Sequence, residues 1–168
     1  KVQDNVGGAT QDIGFNVFGE LDTVSLAAYA GSNDVFVETW YDQSGSGNNA
    51  TQGTSANRPK IYDGTTGVVT ENGKPAVEFD GSNDFVATSD FTAETQPFYF
   101  SLVTAPDSTG LSRLIDTNGT VTNNRTLITL DGSVYSMNAG NSITGGTTTT
   151  TQQLLTADFD TTSSFLYK

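Results

Sequence analysis

Three groups of side chains in this chain are of types that could do chemistry. The first is Trp40, Tyr41, Asp42 and Gln43, followed beyond a Ser/Gly turn by Asn48 and Asn49. Aromatic rings present a flat apolar face to the C–H groups of a sugar, while amides and carboxylates bond its hydroxyls. These six residues are therefore the candidate carbohydrate-binding set. A core tryptophan ahead of a polar turn would give the same pattern, and the dominance of buried aromatics in sandwich cores favours that reading for Trp40. The second group is Asp80, Asn83 and Asp84 in the run Asp80-Gly81-Ser82-Asn83-Asp84. Calcium wants several oxygens, and these side chains with the turn carbonyls could converge on one ion. The spacing is not that of an EF-hand, and an Asx-type turn that needs no metal explains the same residues. The third group is a set of carboxylates, Glu38, Glu78, Asp80 and Asp84. Glycosidases place two carboxyl groups about 5–5.5 Å or 6.5–9.5 Å apart. Glu38 and Glu78 lie inside strands of mixed polarity, so a solvated strand face is favoured and no catalytic residue is assigned.

Composition narrows the chemistry further. The 168 residues contain no cysteine and no histidine. That excludes disulfides, thiol nucleophiles, zinc-thiolate sites and imidazole acid–base work. With seven Lys and Arg against nineteen Asp and Glu, the net charge is −12. Nucleic acid needs a basic surface and is not an expected partner, nor is an anionic membrane. No apolar run reaches membrane-spanning length. A hydrophobic fraction of 35%, eighteen glycines and abundant threonine point to β-structure with many turns. The length suits one sizeable core.

These side chains need elements to hold them. The seven residues Val35–Tyr41 alternate as a strand, with Val35, Val37 and Thr39 on one face and Phe36, Glu38 and Trp40 on the other. Asp42 can bond the amides of the following turn, where Gly45 and Gly47 can supply positive φ. A short helix is expected over Leu21–Ala30, with Asp22 as N-cap, Leu21 and Leu26 as a hydrophobic staple and Gly31 as the stop. A strand is expected in DIGFNVFG (Asp12–Gly19). Further strands are read at Lys60–Tyr62, Ala76–Phe79, Phe85–Thr88, Phe98–Thr104, Ser112–Asp116, Arg125–Leu130, Val134–Asn138, Gln153–Phe159 and Phe165–Tyr167. Leu130–Val134 reads as a hairpin bent at Asp131-Gly132. Thr147–Thr151 reads as an extended edge or loop. GSNDVFVET from Gly31 and GSNDFVATS from Gly81 echo one another, a likeness best explained by a shared turn ahead of a strand. Asn49, Asn118 and Asn124 head Asn-x-Thr sequons. The rhythm of short strands is that of an all-β jelly-roll sandwich with one short helix near the amino end.

Longer stretches carry a family resemblance. ATQDIGF (Ala9–Phe15), ELDTVSLAAYAG (Glu20–Gly31), TWYDQSGSGNNATQ (Thr39–Gln52) and NRPKI (Asn57–Ile61) resemble the amino-terminal catalytic region of family 54 arabinofuranosidases. They are still more similar to non-catalytic homologues of that region in bacterial surface proteins and tailed-phage structural proteins. NGKPAVEFDGSNDFV (Asn72–Val86) and the strands after it resemble the LamG/concanavalin-like jelly roll, in which calcium at the sandwich rim is common. The resemblance implies the fold but not the hydrolase. The family's nucleophile is a Glu within an Asp-Tyr-Gly-Asn-Ala-Glu run flanked by paired cysteines, and this chain has neither. Its Leu102–Gly119 region offers Asp107 and Asp116 instead.

The expectation is thus one jelly-roll domain over 1–168, with an amino-terminal extension over 1–58 and sandwich strands over 59–168. The last strand stops partway through its hairpin, so the sequence reads as a fragment truncated at the carboxy end. The expected role is a non-enzymatic structural or adhesion module, on a virion or a cell surface, with no cofactor beyond a candidate calcium ion. Sibling subunits or other structural proteins of an assembly are the expected partners, together with an extracellular glycan. A lectin-like module and an arabinofuranosidase-type hydrolase are the alternatives.

Overall fold

The computed structural model describes residues 1–89, 97–107, 112–117, 126–132, 134–139, 142–147, 149–160 and 164–167. The described residues are β-rich, with antiparallel sheets and a single α-helix among them. By its internal contacts the chain divides into two compact units, Lys1–Thr92 and Ala93–Lys168.

The first unit is built on a four-stranded sheet of order β1-β2-β5-β6, comprising Val2–Asp4, Val35–Val37, Lys60–Asp63 and Gly67–Val68. Helix α1 (Thr23–Ala30) packs on β5 and β6. Asp22 starts the helix, accepting from the Ser25 amide at 3.1 Å and the Ser25 hydroxyl at 2.6 Å. Gly31 ends it, its N–H donating to the Ala27 carbonyl at 3.1 Å. Leu26 and Ala30 face inward and join Val2, Val35, Val37 and Ile61 in the core. The alternation expected of Val35–Val37 is observed, with both valines buried and Phe36 half-buried on the other face. Three short strands, β3 (Thr39–Trp40), β4 (Ala50–Thr51) and β9 (Ala87–Thr88), form a second sheet, and β7 (Thr70–Glu71) pairs with β8 (Lys74–Pro75).

In the second unit, β10 (Phe98–Thr104), β15 (Gln153–Phe159) and β16 (Phe165–Tyr167) form one sheet. β11 (Ser112–Asp116), β12 (Thr126–Asp131), β13 (Val134–Ala139) and β14 (Ser142–Thr147) form another. Burial alternates residue by residue along β10 and β15, so each presents one face inward. Ile128, Met137, Ala157 and Phe159 are buried together, drawing on both sheets, with Phe98, Phe100, Leu114 and Leu166 packed around them. The arrangement is sandwich-like. The two sheets close on each other at β14 and β16, where a Cβ added to Gly145 would lie 3.2 Å from the Leu166 carbonyl. Two buried side-chain oxygens in this unit, the Tyr135 hydroxyl and Gln153 Oε1, have no hydrogen-bond partner among the described residues, and of the two residues Tyr135 is fully buried. Removing its hydroxyl by Tyr135→Phe is expected to stabilise the fold by about 1 kcal/mol, read as a raised urea midpoint. A lowered midpoint would show that the hydroxyl is satisfied.

Several sequence expectations need correction. Asp12–Gly19 forms no strand, only an isolated bridge between Phe15 and Leu21. The Asn16 side chain accepts from the amides of Phe18 (2.9 Å) and Glu20 (3.1 Å), folding the segment into a turn that leaves Phe15, Val17 and Phe18 exposed. Ala76–Phe79 is likewise reduced to one bridge, between Glu78 and Lys60. Strand β14 was not expected, because Ser, Thr and paired Gly show no apolar alternation; pairing with β13 makes it a strand. The turn reading of the two GSND segments agrees with their glycines, Gly31 at φ 57° and Gly81 at φ 72°. The sequons at Asn118 and Asn124, along with Arg125, Ser133 and Thr148, lie outside the described residues.

Candidate functional site

Strands β3 and β4 form a hairpin whose connecting loop holds five of the six sugar-site candidates, with Trp40 at its base. Asp42 is the hub of that loop. Its carboxylate accepts from the Ser44 amide (2.7 Å), the Ser44 hydroxyl (2.9 Å) and the Asn48 amide (3.0 Å). Its own N–H donates to Asn49 Oδ1 at 2.9 Å, so the loop is tied across its width. Gly45 and Gly47 take φ of 84° and 81°, which a side chain would resist. Gln43 donates to the Tyr41 carbonyl, and the Tyr41 hydroxyl donates to Asp12 Oδ1 at 2.8 Å. That bond to a carboxylate raises the Tyr41 pKa.

The six residues are therefore brought to one hairpin but play different parts. Asp42 and Asn49 are occupied with building the loop. The Asn48 side-chain amide has no partner among the described residues and is available to a ligand. Trp40 is 53% exposed, which overturns the core placement favoured for it. The alternation that buries Val35 and Val37 carries Trp40 outward. Its cross-strand neighbour is Ala50, which pairs in turn with Thr88, so small side chains leave the ring uncovered.

The hydrogen bonds from Ser44 and Asn48 hold the Asp42 carboxyl below its ordinary 3.8. Because the folded value lies below the unfolded one, the loop's stabilisation is fully present above about pH 4. It is lost as pH falls through the folded value. Trp40 fluorescence is expected to stay constant from neutral pH to about 4 and to change below it. A transition between pH 5 and 7 would contradict this assignment.

Asp80, Asn83 and Asp84 are brought together, but their polar atoms serve the turn. Asp80 Oδ1 accepts from the amides of Ser82 (2.8 Å), Asn83 (3.1 Å) and Asp84 (3.3 Å), which hold its pKa down. Asp84 accepts from the Asp80 amide at 3.1 Å, and burial raises its pKa. Asn83 donates to Ala56 O and to Asn57 Oδ1, anchoring the loop. No group of three or more acidic side chains able to hold a metal occurs among the described residues. Glu78, Asp80 and Asp84 also line an open cavity of about 340 Å³ with Phe36, Arg58 and Lys60.

The sequence reading missed Arg58. It is 93% buried, since only 7% of its side chain is exposed, and it pairs with Glu38 at 2.9 Å. It also donates to Gln52 O (2.7 Å), Gln3 Oε1 (2.5 Å) and Gly53 O (3.3 Å), joining β1, the Glu38 bend and the end of β4. The one sequence signal was a cation before proline and a strand in a chain with only seven cations. Glu38, one of the candidate acids, is thus held in an ion pair.

No helix among the described residues is long and apolar enough to cross a membrane. Comparison of the chain with family models, curated proteins and solved structures finds no match in any of the three.

Proposed function

We propose that this chain is a non-enzymatic adhesion module, displayed on a virion or cell surface, whose β3–β4 hairpin contacts a glycan. The LamG-like jelly roll suggested by Asn72–Val86 is the architecture proposed for it, and sibling subunits of an assembly are its proposed neighbours. The observation that carries the reading is Trp40: a half-exposed indole beside small side chains, at the base of a loop locked by Asp42. A rigid aromatic face loses little entropy when a sugar ring stacks on it. Asn48 supplies a free amide at the rim, able to donate to and accept from a hydroxyl. Support for a non-catalytic role comes from the acids, since Glu38 is paired with Arg58 and Asp80 bonds three amides.

The test is calorimetric titration with neutral oligosaccharides selected on a glycan array. Trp40→Ala is expected to weaken binding at least about tenfold, equivalent to about 1.4 kcal/mol. Its melting temperature should stay near that of the parent because the ring is half-exposed. Unchanged affinity in the variant, or no glycan bound by the parent, would retire the proposal.

A further inference from the structure

The second unit has strand edges of contrasting character. In the four-stranded sheet, edge strand β11 carries a register shift between Arg113 and Ile115 and the charges of Arg113 and Asp116. Bulges and charges of this kind keep an edge from pairing with another chain. β14 and β16 lie side by side where the two sheets close. β10 has no such protection. Its seven residues, Phe98–Thr104, keep unbroken register with β15 and include no charge, proline or glycine. On its other side no backbone group has a partner among the described residues.

We infer that β10 is a self-association edge, pairing antiparallel with β10 of a second copy about a two-fold axis at Ser101. The choice of a second copy rests on self-complementarity. In that register Phe98 opposes Thr104, Tyr99 opposes Val103 and Phe100 opposes Leu102. Tyr99 and Val103, 74% and 58% exposed, both lie on the face away from the core. Phe98 with Thr104 and Tyr99 with Val103 each set an aromatic against a β-branched side chain, a favourable cross-strand match. Phe100 and Leu102 meet on the inner face, so the alternation of both copies is kept. The product is a continuous sheet with three strands from each copy. No like charges meet at the seam, although each copy carries a net charge of −12. That overall repulsion is screened by salt, so the dimer tightens as ionic strength rises.

The experiment is sedimentation equilibrium of the full chain at low and high salt, with two double variants. The parent is expected to shift from one to two chain masses with concentration, at lower concentration in high salt. Tyr99→Lys with Val103→Lys places cations opposite one another and should leave single chains, as should Tyr99→Glu with Val103→Glu. Mixing the two variants should restore the two-chain mass, because lysines then oppose glutamates. Circular dichroism of each variant should match the parent, since both positions face solvent. A parent that stays a single chain at every concentration and salt overturns the inference. So does a dimer that survives in the lysine variant, or a mixture that fails to associate.

Discussion

Arg58→Ala is expected to destabilise the first unit by about 3–5 kcal/mol, the cost of removing one partner from a buried ion pair. The guanidinium is 7% exposed and reaches three separate segments, so alanine cannot be compensated by water moving in freely. Glu38, 24% exposed, would keep its charge and lose its cation. The carbonyls of Gln52 and Gly53 would lose their donors as well. Each buried group left unsatisfied adds to the cost. Arg58→Lys keeps the charge but not the planar fork, so it should recover only part of the loss. Replacing Arg58 and Glu38 together by apolar residues should be milder than Arg58→Ala, because no unpaired carboxylate remains. The measurement is urea unfolding followed by Trp40 fluorescence, which reports this unit. A loss under about 1 kcal/mol for Arg58→Ala would show that the network contributes little. Glu38 lies two residues before Trp40, and Gln52 follows β4, so the same variant should also weaken glycan binding without touching the sugar.

Parts of this structure were legible because a local rule and the tertiary fold agree. Phe98–Thr104 and Gln153–Phe159 are short runs rich in aromatic and branched residues set between turn-forming segments, and both strands occur with those bounds. Asp22 announced its helix through capping chemistry that depends on neighbours three residues away. Asp42 was legible for the same reason, since an Asx-type carboxylate finds its amides within a few residues. What could not be read depends on distant partners. β1 and β14 are strands because β2 and β13 supply a ladder, and neither has a marked apolar pattern. Trp40 was misplaced because alternation says which residues share a face but not which face is covered. Arg58 reads as a surface charge until Gln3, Glu38 and Gln52 are brought round it. In Asp12–Gly19 the apolar residues suggested a strand, but Asn16 offered the backbone a turn.

Phe159→Ala should cost the second unit about 3–5 kcal/mol, the usual range for deleting a buried phenylalanine. Phe159 is 0% exposed and stacks on Phe98 with ring centres 5.0 Å apart. Phe100 meets it edge-on at 6.1 Å and meets Phe98 edge-on at 5.9 Å, closing a three-ring cluster. Such pairs contribute about 0.5–1.5 kcal/mol beyond burial. Ala157, Met137 and Ile128 share the site, and ladder hydrogen bonds fix the strands, so the cavity cannot fully collapse. Phe159→Leu fills most of the volume and should lose less. The single tryptophan lies in the other unit, so the unfolding must be followed by far-ultraviolet circular dichroism. Phe98→Ala added to Phe159→Ala should cost less than the sum, because the two rings lose the same contact. Strict additivity would mean the stacked pair is not coupled, and a loss near zero would mean this face is not a core. The rings also seat β10 against β15 through the Phe98–Phe159 partnership. Loosening them should therefore weaken self-association through β10 as well, even though neither ring lies on its exposed face.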